Sequence, residues 1–171
     1  MKKNFFVLLL LLVSLLVQSQ TIRKYPVGNS GCSSYMFCAA KFDMSKSQDS
    51  SVVYSGECIN GDVGYGVICV KLLKPQNNLD MAEDLIIAYS DHLKESFDIV
   101  KSAGYGRGHH LNNNENTRGI IDYWEDKEQN HWKIQAWTDG RYIGFLYAYS
   151  KKELPEARIN VFLNGFRIAD R

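Results

Sequence analysis

Apolar and polar positions change their period several times along the chain, and each change marks an element. The run from Phe5 to Val17 is apolar almost throughout, follows Lys2 and Lys3, and gives way to the polar end Gln18 to Gln20. A basic start, an apolar stretch too short to cross a bilayer and a polar end make the pattern of a secretory signal peptide. Residues 1–20 are therefore expected to be removed, with cleavage just after Ser19 or Gln20. Residues 21–33 carry Pro26, Gly28 and Gly31 without periodicity and read as a leader arm, and 34–171 as a single α+β domain.

Within that domain, Tyr35 to Phe42 and Ser51 to Glu57 are rich in aromatic and β-branched residues and predict two short strands. Asn60 and Gly61 are a turn dipeptide, and beyond it Val67 and Cys69 alternate with Ile68 and Val70, so Tyr65 to Leu73 closes a hairpin. Asp80 and Glu83 resemble a capping pair, and Leu85, Tyr89, Leu93 and Phe97 recur at every fourth position. That period predicts an amphipathic helix to about Lys101, with Lys94 beside the stripe and tolerant of truncation. Gly104 to Arg118 has neither period and reads as a long loop.

Asp139 and Gly140 suit a two-residue hairpin turn, which pairs Trp137 with Tyr142, Gln135 with Gly144 and Lys133 with Leu146. The opposite face then holds Ala136 with Ile143, Ile134 with Phe145 and Trp132 with Tyr147, apolar enough for a core. Ile121 and Tyr123 join that core if Tyr123 pairs with Trp132, a register that sets Asp122 opposite Lys133 and Trp124 opposite His131. Pro155 opens a closing helix with Ile159, Phe162 and Phe166 on one stripe. The order is strands, long helix, three strands, closing helix.

Composition narrows the class. Of 171 residues, 45% are hydrophobic and 23% charged, the balance of a folded globular chain. Loss of Lys2 and Lys3 with the leader turns the formal net charge from +1 to −1, so the basic stripe that nucleic acid requires is missing. No second apolar run is long enough for a membrane span, and the exported protein is expected in the periplasm or outside the cell.

Export also changes how cysteines read, because thiols in an oxidising compartment tend to pair. Cys32, Cys38, Cys58 and Cys69 allow three connectivities and contain no C-x-x-C pair. Folding Tyr35 to Phe42 back on Ser51 to Glu57 favours Cys32 with Cys58, leaving Cys38 and Cys69 to pair or to stay as buried thiols.

The run DGRYIGFLYAYSKKELPEARINVFLNGFRI, with RGIIDYWED and the helix from Asp80 before it, resembles the PsbP-like superfamily over roughly Tyr35 to Ile168. The resemblance implies an α/β/α sandwich, an antiparallel sheet flanked by a long central helix and a C-terminal helix. It also implies a non-catalytic role, since such domains are mostly extrinsic photosystem subunits, assembly factors and partner-binding proteins. It supplies no catalytic residue and no cofactor.

Chemistry must then be sought residue by residue. The string GYGRGHH, Gly104 to His110, follows a helix rather than a strand, which is the wrong context for a dinucleotide loop. His109 and His110 are adjacent and point apart in an extended loop, so no metal site is assigned. Asp122, Glu125, Asp126 and Glu128 lie mostly at a hairpin turn, where solvated charge is the usual state. The strongest constellation is the second face of the sheet, with Asp122, Trp124, His131, Lys133, Gln135, Trp137, Tyr142 and Gly144. It reads either as a stacking floor for a sugar, peptide or partner loop, or as a surface that the closing helix covers.

The expected function is that of an exported, non-catalytic binding protein of the cell envelope, an assembly or partner-binding factor with a protein or peptide partner. The alternatives are a periplasmic immunity-type protein that blocks a toxin, and a hydrolase using His109 or His131 with a carboxylate. Intact-mass measurement of the exported protein checks the processing: the N-terminus is expected at Gln20 or Thr21, and a chain still starting at Met1 refutes it.

Overall fold

Antiparallel pairing of long alternating segments builds most of the protein. The computed structural model describes residues 21–170, so the expected signal peptide lies outside the described residues. The main sheet contains β3 (Lys41–Lys46), β4 (Val52–Asn60), β5 (Val63–Lys71), β6 (Ile99–Ser102), β7 (Gly106–His109), β8 (Arg118–Asp126), β9 (His131–Thr138) and β10 (Tyr142–Ser150). Its order is β3-β4-β5-β10-β9-β8-β6, and β7 also pairs with β8. A small sheet is made by β1 (Arg23–Pro26), β2 (Ser33–Met36) and β11 (Phe166–Arg167), in the order β1-β2-β11. Two α-helices complete the described residues, α1 (Leu79–Ser96) and α2 (Glu156–Leu163).

This corrects the expected sandwich of a sheet flanked by a long central helix and a C-terminal helix. Strands dominate, eleven of them in two sheets among the described residues, and the longer helix is not central but packs against β8 and β9 on one face. The missed element is the small sheet. Residues 21–33 are not a leader arm: β1 pairs with β2, and Val27, Ser30 and Cys32 are buried. The expected strand Tyr35 to Phe42 is likewise split, ending one strand at Met36 and starting the next at Lys41.

Each face of the main sheet has its own core. On one face the small sheet and α2 bury Tyr65, Val67, Cys69, Leu146 and Trp137 together with Val27, Met36, Phe162, Leu163 and Phe166. On the other, α1 buries Ile86 and Leu93 against Ile120, Trp124, Ile134 and Phe145. The cap of α1 is Asn78, whose side-chain oxygen accepts the N–H groups of Asp80 and Met81 at 2.9 and 3.2 Å. Its buried stripe is Ala82, Glu83, Ile86, Ser90 and Leu93, while Leu85 is 38% exposed, so the helix is rotated from the expected Leu85-Tyr89-Leu93-Phe97 stripe. The helix stops at Ser96, where Phe97 leaves helical geometry and Asp98 takes a φ of +53°, and β6 begins at Ile99.

The expected loop from Gly104 to Arg118 is partly structured, with β7 and a single 3-10 turn at Leu111–Asn113. It is strapped to α1 through buried Glu83, which accepts Gly108 N–H at 2.7 Å and Arg107 Nε at 3.2 Å. The cysteines also pair differently from the favoured Cys32 with Cys58. The disulfide joins Cys38 and Cys58, with Cα atoms 6.0 Å apart, and Cys32 and Cys69 are buried thiols. The break between β2 and β3 explains the exchange: the bend carries Cys38 to the end of β4, where Asn60 Nδ2 donates to Phe37 O at 2.9 Å.

Both hairpin registers differ from expectation, with unequal consequences. In the β9–β10 hairpin Ile143 faces Thr138 and Gly144 faces Trp137, so the turn spans four residues rather than two. Thr138 Oγ1 accepts Gly140 N–H at 3.0 Å and Asp139 Oδ1 accepts Arg141 N–H at 2.9 Å, which stabilises the longer turn. Gly140 has φ +82°, and a Cβ there would lie 2.0 Å from Gln76 O, so only glycine lets the segment between β5 and α1 approach. This register slips by two residues, which leaves every side chain on its expected face. The β8–β9 register slips by one: Tyr123 faces Lys133 and Trp124 faces Trp132. Asp122 and Trp124 therefore turn toward α1, and Tyr123 turns away from it.

Asp122 is fully buried there, and its carboxylate accepts Ser102 Oγ at 3.0 Å, Tyr123 N–H at 2.7 Å and Trp124 Nε1 at 2.6 Å, with Lys94 Nζ 3.4 Å away. Lys94 thus neutralises a buried charge instead of facing solvent freely. Leu93→Ala is expected to cost about 2 to 5 kcal/mol through the cavity it leaves. Lys94→Ala is expected to cost about 1 to 3 kcal/mol by stranding Asp122. Urea denaturation midpoints check both; an unchanged midpoint for Lys94→Ala would show that Asp122 does not depend on it.

Candidate functional site

Of the face anticipated as a stacking floor, Lys133, Gln135, Trp137, Tyr142 and Gly144 share one side of the sheet while Asp122 and Trp124 lie on the other, and the protein's own residues occupy most of it. The Phe166 ring lies on Gly144, where a Cβ would come within 2.2 Å of it. Trp137 is 2% exposed and donates Nε1–H to Leu163 O at 3.3 Å. Tyr142 is buried, its hydroxyl 3.3 Å from Ser30 O. Gln135 is buried as well. The closing helix covers this region as the second of the two sequence readings had it, although Phe166 belongs to β11 rather than to the helical stripe.

Cover stops short of β8. Because α2 contacts β9, β10 and β2, it leaves a cleft of about 510 Å³ between itself and the turn end of the β8–β9 hairpin. Tyr123, His131 and Lys133 line it from the sheet, and Glu153, Leu154, Glu156 and Ile159 from α2 and the segment before it. Trp124 and Trp132 border it, while their rings pack on the α1 face with Phe145 and Phe97 respectively. The volume lies within the range of small-ligand pockets, roughly 300 to 1,000 Å³.

Of the six binding residues picked from the sequence, the cleft therefore gathers Trp124, His131 and Lys133. It excludes Asp122, Trp137 and Tyr142, which are buried elsewhere. Tyr123, Glu153, Leu154, Glu156 and Ile159 were missed. Tyr123 was assigned to the core, and the one-residue slip that buries Asp122 is what brings it out: its side chain is 49% exposed.

Lys133 organises the cleft. Its Nζ lies 3.1 Å from Glu156 Oε1, 2.9 Å from Asn160 Oδ1 and 5.2 Å from the centre of the Tyr123 ring. Burial pulls its pKa down, but Tyr123 and Glu156 outweigh that and hold it above the usual lysine value. Its side chain is only 8% exposed against 76% for Glu156, so the ammonium is spent on holding α2 to the sheet. With Glu156 paired to Lys133, the charge left facing solvent on the α2 side of the cleft is the carboxylate of Glu153.

The hairpin turn beside the cleft is rigid. Asp126 accepts the N–H groups of Glu128 and Asn130, both at 2.9 Å, Asn130 Nδ2 at 2.8 Å and Trp132 Nε1 at 2.9 Å. Burial would raise the Asp126 pKa, but these hydrogen bonds prevail and keep it below the usual carboxylate value. His110 Nδ1 lies 2.9 Å from Thr117 O, and His109 ends β7 opposite Gly119, so the two histidines of the loop are components of the fold near β8. No group of three or more metal-ligating side chains is gathered among the described residues.

Comparison with protein-family models and with curated proteins finds no match.

The division between buried floor and open cleft makes a sharp stability test. Trp137→Ala is expected to destabilise the protein by about 3 to 5 kcal/mol. Tyr123→Ala is expected to cost less than about 1 kcal/mol. Thermal melts of the two variants check this, and equal losses would place Tyr123 in the core.

Proposed function

We propose that the protein is an exported binding protein of the cell envelope, and that the cleft between α2 and the β8–β9 hairpin holds a short segment of a protein partner. The single observation that carries this reading is the half-exposed Tyr123 ring set over the buried Lys133 at the mouth of the cleft. An exposed aromatic ring on a rigid strand, beside apolar Leu154 and Ile159, is the kind of anchor that dominates peptide and protein recognition. The Cys38–Cys58 disulfide, and the absence among the described residues of a helix long and apolar enough to cross a membrane, are compatible with export.

The lining also selects the partner's chemistry. Leu154, Ile159 and the Tyr123 ring accept an aliphatic or aromatic side chain. Glu153 favours a neighbouring lysine or arginine, because Lys133 and Glu156 neutralise each other. The reading is thus of a peptide segment with an apolar anchor next to a basic residue.

Selection from a displayed peptide library on the immobilised full chain tests it. Recovered peptides are expected to share an apolar residue beside Lys or Arg, and to lose at least about tenfold in affinity on Tyr123→Ala, the effect of removing one anchor. Failure to enrich any peptide, or binding indifferent to Tyr123→Ala and to Leu154→Asp, overturns the proposal.

A further inference from the structure

Two buried thiols lie together where the small sheet meets the main one. Cys32 ends the β1–β2 turn and Cys69 sits in the middle of β5, in the same apolar core, 2% and 0% exposed. The turn that carries Cys32 lies over the part of the sheet that carries Cys69: Gly28 packs on the ring of Tyr54, the cross-strand neighbour of Cys69, and the Tyr142 hydroxyl donates to Ser30 O at 3.3 Å. The turn that presents Cys32 is closely tied: Val27 N–H donates to Cys32 O at 3.0 Å, Cys32 N–H to Ser30 Oγ at 3.0 Å, and Ser30 Oγ to Val27 O at 2.7 Å. Neither sulfur has a use in the peptide cleft, which lies at the β8–β9 end of the molecule.

We propose that Cys32 and Cys69 form a thiol-disulfide exchange site, at which a small donor disulfide oxidises them to a second cross-link. A cavity of about 530 Å³, bordered by Lys24, Pro26, Gly28, Asn29 and Cys32, opens on the Cys32 side of the pair, whereas Cys69 lies deeper. The two sulfurs are therefore unequal in access. They are unequal in acidity too: the hydrogen bond from Cys69, against the opposing effect of burial, holds the Cys32 thiol below its usual pKa, and the same contact together with burial pushes Cys69 up. Cys32 is the attacking thiolate and Cys69 the resolving thiol.

The chemistry balances without a metal or cofactor. The Cys32 thiolate attacks one sulfur of the donor disulfide, a mixed disulfide forms, and the first donor half leaves as a thiolate that takes up a proton. Cys69 then loses its proton and attacks Cys32 Sγ, displacing the second donor half as a thiol. Two protein thiols become one disulfide, and the donor leaves as two thiols carrying the two electrons. The new bond ties the β1–β2 turn to β5, beside Tyr54 and Gly144 in the strand pairing, and so fastens the small sheet to the main one.

Oxidised glutathione added to the purified, folded full chain tests the site. After denaturing alkylation and peptide mapping, the untreated protein is expected to show two alkylated thiols, and the treated protein none, with Cys32 linked to Cys69 and Cys38 still linked to Cys58. Two thiols still alkylated after treatment, or a linkage of Cys32 to Cys38 or Cys58, overturns the proposal. The Cys69→Ser variant is expected to stop at one glutathione on Cys32. If Cys32→Ser instead traps glutathione on Cys69, the assigned order of attack is wrong.

Discussion

A carboxylate buried beneath a helix decides where everything else on β8 goes. Asp122 has no exposed surface, and its charge is tolerable only because Lys94, Ser102, Trp124 Nε1 and a backbone N–H converge on it from α1, β6 and β8. On the other face of β8 the available cation is Lys133, and Glu156 and Asn160 already engage it. Strand alternation then does the rest. With Asp122 and Trp124 committed to the α1 side, Tyr123 must project to the other, where α2 does not reach it. The open aromatic ring at the cleft is the geometric counterpart of the buried acid next to it in sequence.

The same face also explains why the cleft is small and lies to one side. The chain's end folds back over the centre of the sheet, placing Phe166 on Gly144 and Leu163 O on the Trp137 indole. The aromatic floor is thus filled internally and contributes to stability. Lys133 marks the border: Tyr123 stands on one side of its ammonium, and Glu156 and Asn160 of α2 on the other. It joins the covered half of the face to the open half. A residue picked from the sequence as a possible ligand contact is therefore a strut that leaves its neighbours free to meet one.

How much was legible in the sequence follows from the range of the interactions involved. The hairpin of β4 and β5, the presence of a helix near Asp80 and the inward face of β9 and β10 depend on local turns and periodicity, and these were readable, whereas the cap and the buried stripe of that helix were not. Alternation survived even the wrong turn at Asp139–Gly140, because a slip of two restores every face. The β8–β9 slip was not readable, since a lone aspartate among apolar residues belongs on a polar face until its partners are known. Those partners stand 28 and 20 positions away, at Lys94 and Ser102. The disulfide failed for a related reason: choosing between Cys32 and Cys38 required knowing that the chain bends between Met36 and Lys41. The small sheet was invisible because its strands are two to four residues long and β11 joins β2 from more than 130 positions away.

The rigidity around the cleft bears on how tightly it can hold a flexible segment. A peptide loses conformational freedom when it binds, and a receptor that must also order its own loops loses affinity twice. Here Tyr123, His131 and Lys133 stand on paired strands, and the turn between those strands is closed by four hydrogen bonds to Asp126. Across the cleft, Lys133 holds α2 through Glu156 and Asn160. Both walls are thus set in advance, so for the proposed peptide the ordering cost falls on the peptide alone. That favours recognition by a few well-placed contacts over recognition by a large surface.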